Sequence, residues 1–369
     1  MSDQPKHETC EGLLAEARRL LVRSSWSEFL LPVIERASGA VITDVDGQDY
    51  LDFSSGQMCA TVGHNHPKIV EAIRKSSEGV FHLNSSMLSP EVIALAQRVT
   101  DLLPGPLKKI FFLSTGGEST EAALKMAKKA MGKFEIVGLA DSFHGSTAGA
   151  LSSTFIPKRR AGHGPMLPGT HAIFAPNCYR CPLNLTFPEC DYACARAGFE
   201  LVDKQSVGSL AALIAEPVQG AGGIVDPPPG YLAVLRDLCR EREMLFILDE
   251  AQTGLGRLGD MWGFERDGAA PDILALSKTL GGGIPLAATV TSPAIEQRCY
   301  ENGFWFYTSH LNEPLPAAVG LAVLDVIREE RLVDAAREKG AYLKKGLLAL
   351  KKRYEIIGDV RGRGLLMGV

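Results

Sequence analysis

The sequence lacks an excess of either charge. Lysine and arginine number 39 against 43 aspartates and glutamates, a formal net charge of −4. No basic block stands out, which excludes the electrostatic footprint of a nucleic-acid-binding chain. No apolar run approaches the roughly 18 residues that read as a membrane span. The N-terminus, Met1-Ser2-Asp3-Gln4-Pro5-Lys6-His7-Glu8, is polar and carries acids. It resembles neither a secretory signal nor an arginine-rich, acid-poor transit peptide, so a cytoplasmic location is the expectation. Internal repeats and low-complexity segments are absent. Of eight cysteines, four cluster as Cys178-x2-Cys181 and Cys190-x3-Cys194, with no histidine among them. That spacing suits a tetrahedral zinc site and equally a surface insertion that binds nothing. A disulfide framework does not fit a cytoplasmic chain.

What is present is a chain of 369 residues, 46% hydrophobic, enough for a large core or two linked ones. Its organising stretch runs from Met244 to Gly283. An apolar burst, Met244-Leu245-Phe246-Ile247-Leu248, ends in Asp249-Glu250. A second, Ile273-Leu274-Ala275-Leu276, ends in Ser277-Lys278-Thr279-Leu280 and three glycines. Such short runs read as buried strands of a parallel sheet, and ligands of open α/β sheets bind beyond the carboxyl ends of the strands. Asp249 and Lys278 then face one crevice. A desolvated lysine loses its charge readily and attacks carbonyls, and an aspartate beside it can keep a pyridine nitrogen protonated. Pyridoxal phosphate (PLP) asks its protein for those two groups. The plainer alternative is a lysine that reaches solvent from a strand end and an aspartate that caps the next helix.

Other stretches supply scaffold and further candidates. Glu11 to Val22 is amphipathic and predicts a helix. Asp46-Gly47, between runs of roughly alternating polarity from Val41 to Phe53, signals a hairpin. Pro67 and Ser89-Pro90 open helices, and His64 and His66 read as turn and capping residues. Lys108 to Leu113 is a strand that runs into Ser114-Thr115-Gly116-Gly117 and then a helix. Strand, glycine turn and helix make an anion site of free N–H groups and helix dipole, or simply a tight turn. Ile136 to Ala140 is a strand followed by Phe143-His144-Gly145. Leu210 to Ala215 leads to Glu216 at a buried strand end, a candidate for contacts with substrate. The glycine loop Gly220 to Gly223 lacks the context of a dinucleotide fingerprint.

Leu248-Asp249-Glu250-Ala251-Gln252-Thr253-Gly254-Leu255-Gly256-Arg257, then Pro271-Asp272-Ile273-Leu274 and Ser277-Lys278-Thr279-Leu280-Gly281, resemble the signature of class III PLP-dependent aminotransferases. The resemblance spans about Leu30 to Val369 and is nearest to 2,2-dialkylglycine decarboxylase. It implies a fold-type-I PLP-dependent transferase of the α/β class: a large domain with a mainly parallel sheet and a smaller α+β domain built from both chain ends. The expected boundaries are 1–60 for the N-terminal segment and part of the small domain, 61–318 for the large PLP-binding domain, and 319–369 for the start of the C-terminal small domain. Family members continue for about sixty residues more, so the chain is expected to be truncated and to lack the arginine that holds a substrate α-carboxylate.

The same resemblance assigns roles. Lys278 carries PLP and moves protons, and Asp249 meets the ring nitrogen. Thr115, Gly116 and Gly117 cradle the phosphate, Phe143 stacks on the ring, and Gln252 bonds the phenolic oxygen. Ser309 reaches the phosphate of a neighbouring subunit in a homodimer. Gln57, within Gly56-Gln57-Met58, lies at the substrate carboxylate, with a polar turn residue as the plain alternative. Potassium or sodium would sit among Leu83, Ser85, Ser309, Leu311 and Glu313, oxygen donors that suit hard cations. Departures from the pattern are Thr120 for asparagine, Phe143 for tryptophan, Ala221 for serine, Ser309 for threonine and Glu313 for aspartate. The implied activity is decarboxylation-dependent transamination of a 2,2-dialkylglycine-type amino acid, with an α-keto acid as acceptor. The alternatives are an ω-amino acid, 4-aminobutyrate or acetylornithine-type aminotransferase, or a truncated non-catalytic chain that binds PLP or a dimer partner.

Overall fold

The computed structural model describes residues 9–24 and 32–369. The polar N-terminal octapeptide and Leu30, where the resemblance begins, lie outside the described residues. Among the described residues, twelve strands form three sheets. Strands β1 (Ile34–Ser38), β2 (Val41–Asp44) and β3 (Asp49–Leu51) make an antiparallel meander. Its second turn is the expected hairpin. Gly47 takes a left-handed φ of 87°, and the Asp44 carboxylate accepts from the Asp46 and Gln48 N–H groups at 3.1 and 2.8 Å.

The large sheet holds seven strands: β4 (Lys109–Leu113), β5 (Glu135–Leu139), β6 (Thr170–Ile173), β7 (Leu210–Ala215), β8 (Leu245–Asp249), β9 (Ile273–Leu276) and β10 (Ala287–Thr291). Their spatial order is β4-β10-β9-β8-β7-β5-β6. Every pair from β9 to β6 is parallel, and β10 runs antiparallel to both of its neighbours. A short hairpin, β11 (Arg361–Arg363) with β12 (Leu366–Gly368), forms the third sheet.

Strand periodicity explains the continuous apolar runs. Leu213, Phe246, Leu248 and Leu274 enter the main core, while Ile214, Ile247 and Ile273 enter a second core. Successive side chains of a strand point to opposite faces, so a sheet covered on both sides needs apolar residues at every position. The second core includes Ala123, Leu124 and Ala127 of the helix Gly116–Met131, at helical spacing. Helices begin where the capping residues predict, at Pro67 and Pro90, with His66 and Ser89 side chains as N-caps. No helix of the described residues is long and apolar enough to cross a membrane.

Register then places the chemistry. Ala215 pairs with Leu248 and Asp249 with Ala275. Glu216 therefore stands level with Asp249, and Lys278 comes three residues beyond the partner of Asp249. All three leave the same edge of the sheet.

Candidate active site

A cavity of about 360 Å³ opens at that edge. Thr115, Gly116, Gly117, Phe143, Glu216, Asp249, Gln252 and Lys278, all singled out in the sequence, line it. Cys59, His144 and the apolar run Ile284-Pro285-Leu286 complete much of the wall.

The glycine turn is built by the start of the helix Gly116–Met131. Thr115 is its N-cap, and a capping box joins Thr115 to Glu118: the hydroxyl accepts from the Glu118 N–H, and the carboxylate accepts from Ser114 and Thr115. The first N–H groups of a helix have no partner within it, and the macrodipole adds partial positive charge there. A Cβ at Gly116 would lie 2.8 Å from Ser277 Oγ. Only glycine lets this turn come so close to the segment that carries Lys278.

Lys278 follows β9 in a short 3-10 turn with φ 49°, a left-handed conformation that costs a non-glycine residue about 1 kcal/mol or more. Asp249 is 6% exposed. Its Oδ1 accepts from the Ala251 N–H at 3.0 Å, and its Oδ2 lies 2.9 Å from His144 Nδ1. The His144 side chain is fully buried, and its Nε2 has no hydrogen-bond partner. Sequence reading assigned His144 no role. The visible signal was its place beside Phe143 at the end of β5, while its partner lies 105 residues away.

Glu216 is 5% exposed and accepts from the Phe143 and Gly220 N–H groups at 2.9 and 3.0 Å. Burial pushes its carboxyl up to about 7, and the nearby Asp249 charge adds to the rise. Burial likewise raises Glu250 to about 7, although Gly263, Phe264 and Thr253 donate to it. Burial also raises the Cys59 thiol. The loop Gly220 to Gly223 has a packing role: a Cβ at Gly220 would stand 2.1 Å from Gln252 Oε1. The Arg159 guanidinium stands 5.3 Å from the centre of the Phe143 ring.

Other expected residues lie elsewhere. Gln57 is exposed, in a kinked turn where Gly56 has φ 63°, and it does not line the cavity. Ser309 is exposed and also outside it. Of the alkali-metal set, Leu83 is half-buried, Ser85 Oγ donates to the Thr308 carbonyl at 2.8 Å, and Leu311 packs on a small apolar cluster. The Glu313 carboxylate faces two imidazoles, His82 and His310, at 2.7 and 3.2 Å. The four clustered cysteines line one small cleft as free thiols. Among the described residues, no three of them bring their sulfurs within 4.8 Å of one another. Tetrahedral ligation at about 2.3 Å needs sulfurs roughly 3.8 Å apart, so the thiols do not form a ready zinc site.

The cavity fits PLP. It offers an amine for the aldehyde, a buried carboxylate for the ring nitrogen, an aromatic wall, and a helix N-terminus with a glycine that leaves room for an anion.

Comparison with known proteins agrees. The family profile described as Aminotransferase class-III matches residues 22–369. An uncharacterized aminotransferase of Schizosaccharomyces pombe is 48% identical over 360 residues, covering 96% of this chain and 79% of that protein. An acetylornithine aminotransferase of Caldanaerobacter subterraneus subsp. tengcongensis is 34% identical over 342 residues, covering 91% and 80%. The crystal structure of an (S)-enantioselective ω-transaminase from Thermomicrobium roseum superposes with a TM-score of 0.92 at 32% identity, covering 97% of this chain and 83% of that one. None of the three is named a decarboxylase. The expected nearness to 2,2-dialkylglycine decarboxylase is therefore corrected to membership of the class as a whole.

Proposed function

We propose, from the premise that this chain belongs to the class-III aminotransferases and is a PLP-dependent transaminase, that it moves the amino group of an ω-amino acid or similar terminal amine to an α-keto acid, without decarboxylation. The observation that carries this reading is Gln57. The residue that the decarboxylase resemblance puts at the substrate carboxylate is exposed and outside the cavity. Phe143 and Ala221 depart from the decarboxylase pattern in the same direction. The names of the acetylornithine and ω-transaminase relatives support it.

When bound, PLP supplies a carbonyl for the amine and a ring that accepts electrons. Thr115, Gly116 and Gly117 would hold its phosphate, Phe143 its ring face, and Gln252 its phenolic oxygen. Asp249 holds a proton at the pyridine nitrogen. His144 orients Asp249 by donating from Nδ1, and the Ala251 N–H fixes the other carboxylate oxygen. Lys278 Nζ takes the proton from the carbon that bears the amine and returns it on the acceptor side. Glu216 lines the same cavity, where burial pushes its carboxyl up to about 7, and in this proposal it meets the substrate. Ile284, Pro285 and Leu286 keep water from one side.

The working form in this proposal is a homodimer. Phe81, Met87, Leu88, Trp305 and Tyr307 are exposed on two loops that Ser85 and Thr308 tie together, and a second copy would cover them. Ser309 belongs to the same loops and would serve the neighbouring site.

The test gives the PLP-loaded chain an α-keto acid and three donors: acetylornithine, 4-aminobutyrate and 2-aminoisobutyrate. Amino transfer from either of the first two, with no carbon dioxide from the third, is the expected result. Carbon dioxide release from 2-aminoisobutyrate as the main turnover would sink the reading.

A further inference from the structure

Behind the turn that carries Lys278 lies a second cleft, of about 150 Å³. Two chain segments separate it from the PLP cavity. Cys59 and Lys278 line the PLP cavity, while Thr61, Val62 and Thr279, one to three residues further along, line the cleft. Thr61 Oγ1 bonds to Thr279 Oγ1 at 3.1 Å and ties the two segments together. The helix Leu332–Lys351 closes the other side and contributes Lys339. No residue of the loops that a second copy would cover lines this cleft.

Two cations line the cleft, Arg257 and Lys339, and no acid does. Arg257 is half-buried and Lys339 exposed. Among the described residues, neither side chain has a hydrogen-bond or ion-pair partner. That sets Arg257 apart, since Arg242, Arg266 and Arg363, half-buried like it, each bond to an aspartate. Burial lowers the pKa of the Arg257 guanidinium, and no nearby carboxylate offsets the cost. A ligand can supply what the chain does not. The guanidinium fork matches a carboxylate through two parallel hydrogen bonds, and the second cation calls for a second negative charge. The apolar walls, Val62, Leu255 and Ile327 among them, suit a carbon chain, whereas inorganic phosphate gains nothing from burial against them.

We propose that this cleft binds a small dicarboxylate, one carboxylate on Arg257 and the other at Lys339, and that its occupancy acts on the Lys278 turn through Thr279. Binding is non-covalent and separate from the substrate site. It holds for whichever amine the enzyme takes, because the probe, succinate, has neither an amino nor a keto group to exchange.

Calorimetric titration of the PLP-loaded full chain with succinate tests it. One saturable site per chain is the expected result, with acetate and inorganic phosphate each weaker by about 10-fold or more, the scale of one lost charged hydrogen-bonded contact. Lys339→Ala and Arg257→Gln should each weaken succinate by about 10-fold or more on the same ground. Lys339 is exposed, so its variant keeps the test in force if Arg257→Gln fails to fold. At saturation the visible band of bound PLP should shift in the wild type, and in Lys339→Ala only at correspondingly higher succinate. Absence of saturable binding, binding unaltered in Lys339→Ala (succinate then sits elsewhere, the PLP cavity included), or acetate or phosphate as tight as succinate would each overturn the site. An unmoved PLP band at saturation would overturn its action on the Lys278 turn.

Discussion

His144 Nδ1 lies 2.9 Å from Asp249 Oδ2, inside a wall where the imidazole has no exposed side-chain surface. A hydrogen bond to a charged partner contributes about 1.5–3 kcal/mol. His144→Ala should therefore lower kcat by roughly 10–100-fold, and His144→Gln, which can still donate, should recover part of it. Asp249→Asn should cost more, on the order of 10²–10⁴, the range of a lost proton-transfer group. Steady-state kinetics of the four proteins checks the order. Equal rates for His144→Ala and wild type would remove the positioning role.

Lys278→Ala should abolish turnover while leaving the fold intact. Borohydride should fix PLP to the wild-type chain at Lys278 and to no residue of the variant. Peptide mapping of the reduced protein reads the result directly.

Gly116→Ala puts a methyl group 2.8 Å from Ser277 Oγ. PLP affinity should fall by roughly 10-fold, or about 1.4 kcal/mol. Adding Ser277→Ala removes the obstructing hydroxyl and should restore most of the loss. Failure of that rescue would mean that the alanine acts on the turn itself and not on its approach to the lysine segment.

The pH profile of stability follows from Glu216 and Glu250. Burial raises both from about 4.5 to about 7 in the folded chain. The unfolded chain binds fewer protons between those values, so the folded form loses stability as pH rises from about 4.5 through 7. Each group contributes a change of roughly 3 kcal/mol at most. Urea denaturation at a series of pH values should show Glu216→Gln with a shallower decline over that window. An unchanged slope would mean that Glu216 keeps an ordinary pKa.

Gln57→Ala should leave amino transfer within about threefold of wild type, as exposed substitutions away from packed features usually do. A large loss of kcat would return Gln57 to the substrate site.

The fold was legible where local pattern and global position coincide. The runs at β7, β8 and β9 are apolar at every position because both faces are covered, and their charged ends mark one edge of the sheet. The Ser89-Pro90 and Asp46-Gly47 signals depend on two residues each and needed no tertiary knowledge. The reversal of β10 was not legible, since Ala287 to Thr291 is buried throughout and burial does not reveal direction. His144 escaped because its meaning depends on a carboxylate brought over by the sheet. Gln57 was read by likeness of motif, and the kink at Gly56, with φ 63°, has no local signature beyond the glycine itself. The pairing of His82 with Glu313 was not legible, because the two residues lie 231 positions apart in the chain.

The left-handed backbone at Lys278 sets folding and chemistry against each other at one position. Glycine there would relax the turn, and alanine would keep its strain without its amine. An inactive copy of this gene, released from selection for turnover, would gain stability by drifting to glycine. At this one position turnover needs the lysine and the backbone does not.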